Sequence, residues 1–128
     1  MLKELIEIEV KKVRAEAKRE VARLEGLLRD YGHIDFKNYR PYVGPRGISM
    51  FAYEDTKDKV IAYFEELLGE PPKIVARMLG ASTIDVTATF RGDIKIWWTT
   101  NTPEIYPLEE GYKLTERFGI KVIVKEDA

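Results

Sequence analysis

Two aspartates, a lysine and two adjacent tryptophans share the stretch IDVTATFRGDIKIWWTTN, residues 84 to 101. Asp85 followed by Asp93-Ile94-Lys95 has the residue types that hold a divalent ion beside a phosphodiester. That chemistry requires the carboxylates to converge on one metal or on a close metal pair, with ions about 4 Å apart. Whether they converge depends on how the stretch folds.

Residues alternate sides along a strand, so opposed residues share a face. Ile84, Val86, Ala88 and Phe90 alternate along a first arm, and Ile94, Ile96 and Trp98 along a second. Placing both sets on one face requires Phe90 opposite Ile94, with Arg91-Gly92-Asp93 as a three-residue loop. Burial should override the attraction of a two-residue Gly-Asp turn. Asp85 then faces Thr99, about 20 Å along the ladder from the turn at 3.3 Å per residue. Lys95 lies about 13 Å along the strand from Thr99 by the same rise. The triplet therefore reads as a turn. No catalytic residue, metal ligand or cofactor is assigned, and a degenerate metal-dependent nuclease is the least favoured alternative.

The opposite face of the hairpin carries Asp85, Thr87 and Thr89 against Thr99, Trp97 and Lys95. GISMFAY, residues 47 to 53, behaves in the same way: Ile48, Met50 and Ala52 suit a core, leaving Ser49, Phe51 and Tyr53 outward. Aromatic side chains on two central strands are similar, in layout alone, to the stacking platform of RRM-type single-strand binders. The basic glycine-aromatic run of those domains is absent. On this reading Arg40, Arg46, Arg91 and Lys95 meet phosphates while Phe51, Tyr53 and Trp97 stack bases. The same face could equally be covered by a second subunit or by the chain's own N-terminal helix. A pocket for a small ligand in a subunit seam is a third possibility.

The loop HIDFKNYRPYVGPRG, residues 33 to 47, is the most basic and aromatic stretch, with Phe36, Tyr39 and Tyr42 among Lys37, Arg40 and Arg46. Arginine beside tyrosine suits phosphate pairing with stacking, although a long loop also uses aromatics to anchor itself. Gly44-Pro45-Arg46-Gly47 lacks the ending of a phosphate-binding loop. His33 reads as a residue at a helix C-terminus rather than a base. Glu65-Glu66 and Glu109-Glu110 diverge around their expected helices. Glu54, Asp55 and Asp58 suit the positive start of the helix that follows them.

The elements that would position these groups can be laid out in order. Ile6, Val10, Val13, Ala17, Val21, Leu24 and Leu28 form one apolar stripe with an eleven-residue offset, which predicts a single amphipathic helix over residues 1 to 31. Such a helix extends about 45 Å, against a diameter of about 26 Å for a core of the remaining length. The overhang predicts a coiled-coil homodimer through those seven residues. After the loop come a strand at 47 to 53, a helix from Asp55 to Leu68 closed by Gly69, and a short helix-like piece KIVARML. The hairpin follows, then a helix restarting at Pro107 as LEEGYKLTERF, and an interior strand IKVIVK.

That order predicts an α+β protein: a ferredoxin-like βαββαβ sheet with helices on one face, behind the long N-terminal helix. The division expected is residues 1 to 32 for the oligomerisation helix and 33 to 128 for the α+β domain. An αβββαβ nuclease-like core would need one more strand, where KIVARML stands.

Composition sets the outer limits. The chain has 128 residues, 45% hydrophobic, with 21 Lys and Arg against 22 Asp and Glu. This suits one soluble domain with a real core. A near-zero net charge leaves any nucleic-acid contact to a local patch. No apolar run has the length of a membrane span and the charged start is no signal peptide, which predicts a cytoplasmic protein without a membrane partner. Zero cysteines exclude disulfides, thiol catalysis and cysteine metal sites, and a single histidine excludes paired imidazoles. Abundant charge of both signs, with no cysteine or glutamine, is thermophile-like. The function expected is a non-enzymatic homodimeric binding protein, with DNA or RNA as ligand. The alternative is a scaffold whose sheet face is buried in its own dimer.

Overall fold

A computed structural model describes residues 1–34, 40–79 and 83–126. The chain is mixed α+β. Its elements are α1 (Leu2–Arg14), α2 (Lys18–Tyr31), β1 (Tyr42–Gly44), β2 (Gly47–Phe51), α3 (Lys57–Leu68), β3 (Lys73–Leu79), β4 (Thr83–Phe90), β5 (Ile94–Thr100), a 3₁₀ turn (Pro103–Ile105), β6 (Tyr112–Arg117) and β7 (Ile120–Lys125). Five strands form one sheet in the order β1-β2-β5-β4-β3, and β6 pairs with β7 in a second. Two compact units divide the chain: Met1–Phe51 with Gly92–Lys95, and Ala52–Arg91 with Ile96–Ala128.

In the first unit the N-terminal stretch is two helices, not one. Arg14 and Glu25 form an ion pair at 3.3 Å, although eleven residues of continuous helix would separate them by about 16 Å. The break falls at residues 15 to 17, where the amides of Glu16 and Ala17 both donate to Val13 O and Ala17 turns extended, at φ −157° and ψ 131°. No glycine or proline marks it. Short helices are held mainly by burial of their apolar face, and doubling back buries the two halves of the stripe within one chain. Leu2, Ile6, Val10 and Val13 are buried on α1, and Leu24, Leu27 and Tyr31 on α2. Ala17, Val21 and Leu28 are only half-buried. The helix no longer overhangs its domain, so its length gives no reason for a second copy. α1 packs on β1 and α2 on β2. No helix among the described residues is long and apolar enough to cross a membrane.

β1 and β2 form an antiparallel hairpin with Gly44 opposite Gly47 and Tyr42 opposite Ser49. Ile48, Met50 and Ile94 are buried. The amide of Ile48 donates to Asp93 O at 2.8 Å, and that of Ala52 to Trp97 O at 2.9 Å. Both partners advance together, so β2 and β5 run parallel and the large sheet is mixed. The expected adjacency of the strands near 47–53 and 93–100 is therefore present.

In the second unit α3 buries Val60, Ile61 and Phe64, and Gly69 closes it in the left-handed conformation. The Phe64 ring sits 5.7 Å from that of Phe90 on β4. On β4 and β5 alternate residues are buried: Ile84, Val86, Ala88 and Phe90, then Ile96 and Trp98. Thr99 Oγ1 donates to Asp85 Oδ1 at 3.2 Å, which puts these two side chains on the same face, as the Phe90–Ile94 register requires.

Three expected elements differ. KIVARML is the strand β3, antiparallel to β4 over seven pairs from Lys73 opposite Thr89 to Leu79 opposite Thr83. Its local pattern is ambiguous between helix and strand, and an open edge on β4 supplies the ladder that decides it. The helix expected from Pro107 is a bridge of Leu108 to Ala76 and the strand β6, preceded by the 3₁₀ turn at Pro103–Ile105. Consequently IKVIVK is one arm of a two-stranded sheet with its flanks half-exposed, not an interior strand. The βαββαβ order is replaced, after the two helices, by β-β-α-β-β-β and then the β6–β7 hairpin. The strand that the nuclease-like alternative required is present as β3.

Candidate functional site

In the first unit, a cavity of about 290 Å³ lies on the solvent side of three adjacent strands. Tyr42 comes from β1, Ser49 from β2 and Lys95 from β5, with Asp93 just before β5 and Arg46 in the β1–β2 turn. The shared direction follows from strand periodicity. Tyr42 and Ser49 are ladder partners, and Lys95 lies between the buried Ile94 and Ile96.

The turn that carries Arg46 is held from two sides. Arg23 of α2 donates from Nη2 to the Arg46 carbonyl at 2.5 Å. Gly47, at φ 125°, lets the backbone approach Asp93 so closely that a Cβ would overlap its carbonyl group. The Tyr42 ring leans over Gly44, where an added Cβ would lie 3.2 Å from Tyr42 Cε1. The ring is nevertheless 71% exposed, so it offers a placed aromatic surface to solvent. Arg46 and Lys95 are exposed, and Asp93 is half-buried with Oδ1 fully covered. A guanidinium, an ammonium, a hydroxyl and a phenol ring around a small cavity can hold a phosphate and the flat group attached to it.

The other expected contact residues are placed differently. Arg40 is exposed two residues before β1, and Phe36, Lys37 and Tyr39 lie outside the described residues. Phe51 ends β2 and is half-buried. Tyr53, Arg91 and Trp97 belong to the second unit: Tyr53 is 67% exposed, Arg91 is exposed in the β4–β5 turn at φ 53°, and Trp97 is half-buried. Phe51, Tyr53, Arg91 and Trp97 are each engaged in contacts within the chain. Of the seven residues, Arg46 and Lys95 are the pair brought to one cavity. Tyr42 supplies its exposed ring, a role not assigned from sequence. The signal for it is its position two residues before Gly44, on the face that a hairpin turned at Pro45-Arg46 shares with Ser49.

Asp85 is buried in the second unit and its carboxylate accepts from Thr99. Its ladder partner Arg77 extends instead to Glu109, at 3.4 Å. Among the described residues no group of three or more histidines and acids could hold a metal ion.

A second polar cluster lies around Trp98. The Lys57 ammonium sits 5.2 Å from the ring centroid, and the indole Nε1 donates to Tyr106 Oη at 3.4 Å. Burial works against the Lys57 charge, but the hydrogen bond to Asp58 and the neighbouring Tyr106 and Asp58 hold its pKa above the ordinary lysine value. Trp98 itself is 1% exposed, so this arrangement seals the core edge.

Comparison of the chain with family models, with curated proteins and with solved structures found no match.

Proposed function

We propose that this chain is a non-enzymatic nucleic-acid-binding protein that grips a single strand at the hairpin cavity of its first unit. Arg46 and Lys95 pair with the two backbone phosphates that flank one nucleotide, and Tyr42 stacks on its base. The observation that carries this reading is the convergence of Arg46 and Lys95, 49 positions apart in sequence, on one cavity beside an exposed aromatic ring. At about 290 Å³ the cavity lies near the lower limit of ligand pockets, which suits one nucleotide of a strand. The near-neutral chain supports a short footprint, because affinity for a long one comes from many neutralised phosphates.

Fluorescence anisotropy of a labelled single-stranded oligonucleotide tests this directly. Two phosphate contacts give a slope of log K against log salt of about −1.4, or about sevenfold weaker binding from 50 to 200 mM. Arg46→Ala and Lys95→Ala should each halve that slope, to about −0.7. Tyr42→Ala should weaken binding by about tenfold and leave the slope unchanged, since stacking releases no counterion. Equal slopes in wild type and both cation variants would refute the assignment.

A scaffolding role, with the sheet face buried in a homodimer, is the competing reading. It expects no oligonucleotide binding and twice the monomer mass by light scattering.

A further inference from the structure

The β6–β7 hairpin has two faces of unlike character. Its ladder runs from Tyr112 opposite Lys125 to Arg117 opposite Ile120, leaving Phe118-Gly119 as a two-residue turn. On one face, Tyr112 and Ile123 border a small cavity with Ala76, Met78 and Glu109. Lys121, on the same face, pairs with Glu104 at 2.9 Å. This face is turned toward the rest of its unit.

The other face is therefore outer. It carries Lys113, Thr115 and Arg117 on β6, against Val124, Val122 and Ile120 on β7. Ile120 is 56% exposed and the two valines are half-buried. No acidic residue lies on it, and neither Lys113 nor Arg117 pairs with an acid among the described residues. At its apex Phe118 is fully exposed, with its backbone at φ 54°. A bulky aromatic residue disfavours that left-handed conformation, which the adjoining turn favours in glycine or asparagine. Strain and full exposure on one apolar residue point to a use outside the fold.

We propose that this outer face docks on an anionic lipid surface, with Phe118 and Ile120 entering the boundary between headgroups and acyl chains. Arg117 and Lys113 then sit at the phosphate level. Charge decides among occupants. A second copy laid on this face would bring two unpaired cations from each chain together without a counter-charge. Nucleic acid would find one exposed ring, Phe118, at the apex and only β-branched aliphatics behind it, with no second plane for the next base. A bilayer accepts a convex aromatic tip without needing a preformed pocket, and its anionic headgroups supply the missing charge.

Co-sedimentation of the full chain with vesicles tests this, using phosphatidylcholine alone and an equimolar mixture with phosphatidylserine. Wild type should sediment with the mixed vesicles at low salt, and not with phosphatidylcholine. Phe118→Asp should weaken that binding by about tenfold or more. Phe118→Gly, which suits the turn and should therefore raise the unfolding temperature, should weaken it as well, separating loss of the ring from loss of the fold. No sedimentation with mixed vesicles at low salt, or undiminished binding by both variants, overturns the proposal. So does a vesicle-free dimer that either variant converts to monomer.

Discussion

Gly47→Ala should be among the most damaging single-atom-scale changes in this chain, by an amount that can be worked from the backbone. Gly47 has φ 125°, where a Cβ would overlap the carbonyl of Asp93, and that carbonyl is the one that accepts from the Ile48 amide at 2.8 Å. Nothing in that contact is a flexible side chain, so either the turn shifts or β2 parts from β5. Backbone strain of this kind costs about 1–3 kcal/mol, and loss of the strand-pairing hydrogen bond about 1 kcal/mol more. The sum is about 2–4 kcal/mol. Gly69→Ala is the matched control: φ is 71°, nothing lies within 4 Å of the added Cβ, and the left-handed backbone alone costs about 1 kcal/mol. Urea denaturation of the two variants reads the difference. Because Arg46 and Lys95 stand on either side of this approach, Gly47→Ala should also abolish oligonucleotide binding under conditions where it remains folded. A cost for Gly47→Ala no greater than for Gly69→Ala would refute the reasoning.

Two further outcomes test the helical hairpin and the surface charges. Leu24→Ala should cost about 3 kcal/mol by opening a cavity between α2 and its neighbours, with the same unfolding midpoint at every protein concentration; a midpoint that rises with concentration would place Leu24 in an interface between copies. Lys121→Gln addresses Glu104, whose carboxyl the Lys121 hydrogen bond holds below its usual pKa of 4.5. A depressed folded pKa gives a stabilisation that is present above 4.5 and is lost as pH falls through the folded value. The variant should thus be slightly less stable than wild type at pH 7 and indistinguishable from it in acid; a gap that persists undiminished into acid would show another cause.

Period-two and helical periodicity in the sequence determined the alternation of buried residues along β4 and β5, the core face of β2, the span of α3 to Gly69, and the pairing of Asp85 with Thr99. Each of these rests on burial of one local face, and the residues that declare the face are neighbours in sequence. Arg46 and Lys95 were legible as candidates because exposed cations flank turns. Their meeting at one cavity was not, because it depends on β2 lying parallel to β5. Tertiary structure alone decided that residues 15–17 break a stripe with no helix-breaking residue, that KIVARML completes a ladder on β4, and that LEEGYKLTERF yields β6 instead of a helix. In all three, local propensity differs by a few tenths of a kcal/mol per residue. The adjoining elements, α2 for α1, β4 for β3 and β7 for β6, supply across each pair the burial and hydrogen bonds that outweigh it.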